Sequence, residues 1–243
     1  MRSRDFTPYA VVSGEALSGL AKYAGRSLEG GRANNEDGFV CAPRVGLFAV
    51  ADGMGGHNAG EVASALALDT LAAALRDQTA LQETRTNALV DAFGTANRHV
   101  FTAAQRNKAQ AGMGCTLSAV LLVPPLLLGA HVGDSRIYRL RGGALEQLTE
   151  DHSVPWMPHV ITRAIGTEAT VDVDTFTTRL EPDDVFLLCT DGVTNVLPDP
   201  TIARLLGSAR RAPASAVDAI LRAALPNARD NLTAVVLRIE DRS

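Results

Sequence analysis

Ala49-Val50-Ala51-Asp52-Gly53-Met54-Gly55-Gly56-His57 is the stretch that decides how this chain folds. The run feeding it, Val45 to Ala51, is apolar without strict alternation and stops at a carboxylate. Such a run reads as a buried strand ended by a turn. Its end carries Asp52 out of the core, into a bend where glycine allows close backbone approach. A carboxylate beside an accessible backbone carbonyl suits a hard cation such as Mg²⁺ or Mn²⁺. Taken alone, the same letters also suit an ordinary Asp-Gly turn.

The design recurs. Asp184 to Cys189 is a second apolar run, and it leads into Thr190-Asp191-Gly192. Asp230-Asn231 opens the run Leu232 to Leu237, and Glu36-Asp37 opens Gly38 to Cys41. Acids therefore sit at the ends of four separate apolar strands. Strands of one sheet system can bring such ends together, and carboxylates gathered at one point repel unless cations lie between them.

A chain of 243 residues, 46% hydrophobic, can build one sizeable core, and no linker, repeat or low-complexity tract divides it. Net charge of −4 gives no argument for a nucleic-acid or anionic-membrane partner. Cys41, Cys115 and Cys189 are odd in number and lie in or beside apolar runs, so they read as reduced, buried thiols. Leu117 to Val132 is broken by Pro124-Pro125 and reads as two strands, not as a membrane span. With no leader-like N-terminus, the expectation is a soluble cytoplasmic protein. Residues 1–13 carry no pattern and are expected to be disordered, leaving 14–243 as a single domain.

Between the acidic strand ends the texture changes. Val62 to Leu75 predicts a helix capped by Asn58, with Val62, Ala65, Leu66, Leu68, Leu71 and Leu75 inward. Glu83 to Lys108 predicts a second helix, and further helices are expected at Thr201–Leu206 and Ala214–Leu225. Strands are expected at 115–123, 126–132, 136–140, 145–148, 184–190 and 232–239, with a hairpin turn at Arg141-Gly142-Gly143. Paired helices between strand blocks are not a βαβ pattern. The simplest layering is an α+β fold of two antiparallel sheets packed face to face with helix pairs outside.

Arg32-Ala33-Asn34-Asn35-Glu36-Asp37, Asp52-Gly53-Met54-Gly55-Gly56, Gly133-Asp134-Ser135-Arg136, Asp191-Gly192 and Asp230-Asn231 occur in this order. Together they resemble the metal-dependent Ser/Thr protein phosphatases of type 2C in their bacterial form, over about Gly30 to Ile239. The resemblance implies an αββα sandwich with a metal cleft at one end. It also implies two Mn²⁺ or Mg²⁺ ions, with a third, weaker site. Residue by residue, it makes Asp52 the bridging carboxylate, the Gly53 carbonyl a ligand, and Asp191 and Asp230 the rest of the first metal's shell. Glu36 and Asp37 would orient metal-bound waters, Asp151 would join Asp191 at the third metal, and Asp134 reads as structural. Arg32 would clamp the phosphate, since a guanidinium grips two oxygens at once; the competing reading is an ion pair with Glu36. Met54 stands where some relatives carry a histidine, so His57, His152 or metal-bound water would protonate the leaving group, and water is favoured.

The function implied is hydrolysis of phosphoserine and phosphothreonine in proteins. The partners implied are a bacterial Ser/Thr kinase and its targets, with no nucleic acid, no membrane and a monomeric enzyme. A non-catalytic phosphoprotein binder and a small-molecule phosphoesterase are the alternatives. One departure stands out. Only Val154-Pro155-Trp156-Met157-Pro158-His159 separates Asp151-His152-Ser153 from Val160 to Gly166, where bacterial relatives usually carry a longer flap. Two prolines in six residues predict a short stiff loop beside an open cleft, with Trp156 anchored in the core.

Overall fold

The computed structural model describes residues 11–55, 59–76, 82–154 and 156–241. In chain order, β1 (Val12–Ala16), β2 (Ala21–Leu28), β3 (Asp37–Ala42) and β4 (Leu47–Met54) precede the helices α1 (Ala59–Leu75) and α2 (Gln82–Arg106). There follow β5 (Gly114–Cys115), β6 (Leu117–Val123), β7 (Leu126–Val132), β8 (Arg136–Arg141), β9 (Ala144–Gln147), β10 (Ser153–Val154), β11 (Met157–Ile161) and β12 (Asp174–Arg179). The chain ends with β13 (Val185–Cys189), α3 (Asp191–Thr194), α4 (Asp199–Leu206), α5 (Pro213–Ala224) and β14 (Leu232–Ile239).

Two antiparallel sheets result. One runs β1-β2-β14-β13-β8-β9; the other runs β12-β7-β6-β4-β3, with β5 paired to β4. The reason for unbroken apolar runs is visible in β4. Successive side chains of a strand point to opposite faces. Phe48 and Val50 pack between the sheets with Val120, Ile137, Phe186 and Val235. Leu47, Ala49 and Ala51 pack outward under α1 and α2, against Ala63, Ala67, Leu71 and Phe93. β13 divides in the same way: Phe186 and Leu188 face the partner sheet. Leu187 and Cys189 lie under α4 and α5, with Ile202, Val217 and Ile220. Both faces of the central strands are covered, so alternation disappears, and the αββα layering follows.

Several details differ from expectation. The buried face of α1 is set by Ala63, Ala67, Leu68 and Leu71, while Val62 is exposed. The small alanines let the helix lie close on β4, which a reading weighted toward larger side chains misses. Val12 and Ser13 pair in β1, and the rest of the stretch 1–13 lies, but for Val11, outside the described residues. Asn58, the expected cap, also lies outside them. The short segment after His152 is a two-stranded hairpin, β10 with β11, rather than a loop. Trp156 is not anchored: it is 79% exposed, in the turn between these strands. A hairpin this short has no interior into which an indole could fold.

Candidate active site

The acidic residues meet because of strand pairing. Asp37 opens β3 directly opposite Asp52 on β4. Asp191 follows β13 and Asp230 precedes β14, two strands paired in the facing sheet. Asp134 lies in the crossing from β7 to β8, and Arg136 pairs with Cys189, which brings that crossing beside Asp191. Like charges directly opposite across two strands are destabilising, so this end of the sandwich needs local compensation.

Hydroxyls give Asp37 part of it. Its Oδ2 accepts from Thr190 Oγ1 at 2.7 Å and from Thr233 Oγ1 at 2.7 Å. Its Oδ1 is buried without a partner. Burial, first, and then repulsion from Asp191 and Asp230 push its carboxyl up to about 7, against the pull of the two hydroxyls. Asp52 is raised well above the carboxylate range by burial, then by Asp37, Asp191, Asp230 and Asp134. Asp191 Oδ2 accepts from Asn195 Nδ2 at 2.9 Å, whereas its Oδ1 is buried and unpartnered. Burial and then Asp230 raise its pKa.

Backbone packing brings the remaining groups in. A Cβ on Gly53 would lie 2.1 Å from the Gly60 carbonyl oxygen and 2.6 Å from that of Glu36. Only glycine lets the end of β4, the start of α1 and the Glu36 strand entry share this space. Gly53 N donates to the Glu36 carbonyl at 3.1 Å, and Glu36 N donates to Asn231 Oδ1 at 2.9 Å. Asn231 Nδ2 in turn donates to the carbonyls of Glu29 and Asn34, each at 2.8 Å. Asn231 thus holds the Glu29–Glu36 loop, which bears Arg32, against the entry of β14. The sequence showed Asn231 only as the companion of Asp230. Burial raises the pKa of Glu36, with Arg32 opposing.

Arg32 is 57% exposed, and its Nη2 donates to Asp230 Oδ2 at 2.7 Å. The competing ion pair expected with Glu36 is therefore made with Asp230 instead. Asp151 differs from the other candidate acids in being held by an arginine on both oxygens. Arg136 grips both its oxygens, with Nε 2.9 Å from Oδ1 and Nη2 2.7 Å from Oδ2, and Gln147 Nε2 donates to Oδ1 at 3.2 Å. Asp134, read from sequence as structural, has the features expected of Asp151. It is buried, its Oδ1 has no partner, and burial, then Asp191 and Asp151, push it up to about 7. The Gly-Asp-Ser turn was the available signal; its resemblance to common turn chemistry hid it. His57 lies outside the described residues. His152 is committed: its Nδ1 accepts from Gly133 N at 3.0 Å, and its Nε2 lies 3.0 Å from Asp174 Oδ2.

The residues present fit hard divalent cations. Asp37, Asp134 and Asp191 each hold a buried carboxylate oxygen without a partner, and every candidate donor is oxygen. Among the described residues no three His, Cys, Asp or Glu side chains close into a ready cage.

The family model for Protein phosphatase 2C matches residues 24–229. The serine/threonine phosphatase stp of Listeria innocua is 34% identical, over 85% of this chain and 90% of its own. The serine/threonine protein phosphatase PstP of Mycobacterium tuberculosis is 35% identical, over 91% of this chain and 46% of its own. A crystal structure of that PstP superposes with a TM-score of 0.83 at 33% identity, covering 91% of this chain and 99% of the solved one. The PstP catalytic domain solved in complex with two manganese ions gives a TM-score of 0.80 at 34% identity, covering 91% of this chain and 99% of that one.

Proposed function

Because the chain belongs to the Protein phosphatase 2C family, we propose a division of labour among its residues for the reaction of that family. The protein is a metal-dependent serine/threonine phosphatase acting on phosphoproteins. The observation that carries the site reading is the set of buried, unpartnered carboxylate oxygens at one end of the sandwich.

Asp52, the Gly53 carbonyl, Asp191 and Asp230 hold the cations, two per site as in the manganese-bound relative. Glu36 and Asp37 order the surrounding waters. Asp134, with Asp191, takes the weaker third position in place of Asp151, whose oxygens are occupied by Arg136. Bound Mn²⁺ or Mg²⁺ supplies a water acidified toward neutral pH and positive charge for in-line displacement at phosphorus. Arg32 binds the phosphate oxygens and orients the ester, exchanging its contact with Asp230 for the substrate. Thr190 and Thr233 keep Asp37 fixed by hydrogen bonds. With His152 held by Gly133 and Asp174, the proton for the departing serine or threonine oxygen comes from water.

A Ser/Thr kinase and its targets are the natural partners, and a monomeric, cytoplasmic enzyme is the setting that fits them. No helix among the described residues is long and apolar enough to cross a membrane. The test is phosphate release from a phosphothreonine peptide and from a small phosphate ester, titrated with Mn²⁺ and with chelator. We expect metal-dependent release that favours the peptide. Full activity after metal stripping would refute the assignment of these carboxylates.

A further inference from the structure

Thr116 lies between β5 and β6, fully buried, and its hydroxyl is not accounted for by strand formation. Asp52 N donates to Thr116 Oγ1 at 2.8 Å, and Thr116 N donates back to the Asp52 carbonyl at 2.8 Å. The same Oγ1 lies 2.7 Å from Ser135 Oγ, also fully buried. The Thr116 side chain presses on Gly133 as well, where a Cβ would meet its Cβ and Cγ2 at 2.6 Å. Gly133 holds φ +114°, a backbone shape that side chains rarely adopt. One residue thus grips the backbone of Asp52 with one hand and both flanks of Asp134 with the other.

The grip spans the two sheets. Asp52 lies on β4 in one sheet, paired with Asp37 of β3; residues 133–135 carry the chain across to β8, which pairs with β13 just before Asp191. The brace continues behind Ser135, whose carbonyl lies 3.1 Å from Ser118 Oγ, itself 2.8 Å from His131 Nδ1. A centre whose ligands come from both sheets needs their spacing held to about half an ångström. Among the described residues, no other side-chain hydrogen bond ties Asp52 to the Asp134 turn.

We propose that the Thr116 hydroxyl, with Ser135, is a positioning group that sets Asp52 against the Asp134–Asp191 side of the centre and so tunes cation affinity. The inference rests on the metal reading above. Groups behind metal ligands typically change affinity by about 10- to 100-fold when removed. The experiment compares wild type, Thr116→Val, Thr116→Ser and Ser135→Ala. Mn²⁺ affinity is measured by calorimetry, melting temperature in chelator and with Mn²⁺, and kcat and KM at saturating Mn²⁺. Valine keeps the shape and deletes the hydroxyl. We expect Thr116→Val to weaken Mn²⁺ binding at least about tenfold. Thr116→Ser should restore it to within about threefold, and Ser135→Ala should fall between them. If Thr116→Val lowers the melting temperature in chelator but leaves Mn²⁺ affinity within twofold, the proposal is overturned and Thr116 is structural. If serine, which keeps the hydroxyl, is as poor as valine, the hydroxyl is not sufficient and the packing of the whole side chain against Gly133 is needed, which overturns the proposal. Should Thr116→Val fail to fold, Ser135→Ala decides: unchanged affinity overturns the proposal. Absence of Mn²⁺ binding in wild type would instead sink the metal reading itself.

Discussion

Replacing Asp191 by asparagine should abolish turnover and yet stabilise the metal-free protein. Asp191 sits in a patch where burial and neighbouring acids raise every carboxyl that shifts, Asp37 to about 7 among them. Two like charges about 6 Å apart repel by roughly 1–3 kcal/mol at an effective dielectric of ~20–40. Asparagine removes this and keeps an oxygen for the Asn195 amide, now 2.9 Å away. A gain of about 2 kcal/mol corresponds to roughly 4–8 °C in a domain of this size. The pH dependence fixes the sign. A carboxyl whose folded pKa is raised contributes stability fully present below its unfolded value and lost as pH rises through the folded value. Metal-free wild type should therefore weaken from about pH 4 to about pH 7, where Asp37 ionises, and because the Asp191 carboxyl is also raised, the advantage of Asp191→Asn should grow as pH rises. Cation at about a hundred times its Kd stabilises wild type by ~2.7 kcal/mol, and the variant should gain far less. The assay is thermal melting in chelator and in Mn²⁺ at pH 5 and pH 8, beside turnover. A variant several degrees less stable than wild type in chelator at pH 8 would show that Asp191 is a structural residue.

Other substitutions separate the remaining roles. Arg32→Ala should lower kcat/KM by about 10- to 100-fold, one charge-assisted contact, and leave Mn²⁺ affinity equal or tighter, since Asp230 is freed; an unchanged kcat/KM would assign Arg32 to the ion pair alone. Gly53→Ala forces a Cβ against two carbonyls and should cost about 1–3 kcal/mol together with Mn²⁺ affinity; a stable, fully active variant would refute the close-approach argument. Asp134→Asn should weaken metal-dependent turnover without loss of chelator stability, whereas Asp151→Asn should lower the melting temperature through its Arg136 contact, worth about 2 kcal/mol, and spare the metal titration. The reverse pattern would return the third site to Asp151.

How much of this was legible follows from where the information lies along the chain. Each strand carries its layer assignment locally: Leu47 to Ala51 is apolar at every position because both faces are covered, so the layering can be read from composition and run length. Acids at strand ends are equally local, and Asp52, Asp191 and Asp230 announce themselves. The short segment around Trp156 failed for an energetic reason. Two prolines exclude a helix but leave a hairpin open, because a two-residue strand asks little of the backbone; Trp156 then stays in solvent for want of anything to fold against.

What no single stretch could disclose is pairing between distant polar side chains. Asp134 and Asp151 are both acids in turns, and only the fold shows that Arg136 has taken one of them. The choice matters chemically. Arg136, partly buried, binds Asp151 with three hydrogen bonds and also reaches Tyr138, whose hydroxyl donates to Asp199 at the start of α4. That chain of contacts uses a fixed cation to neutralise the acid nearest the hairpin. Asp134 has no such partner for its buried Oδ1. The contrast between Asp151, held on both oxygens by Arg136, and Asp134, with a buried unpartnered Oδ1, is a property of side-chain partnership, invisible in the identity of the residue.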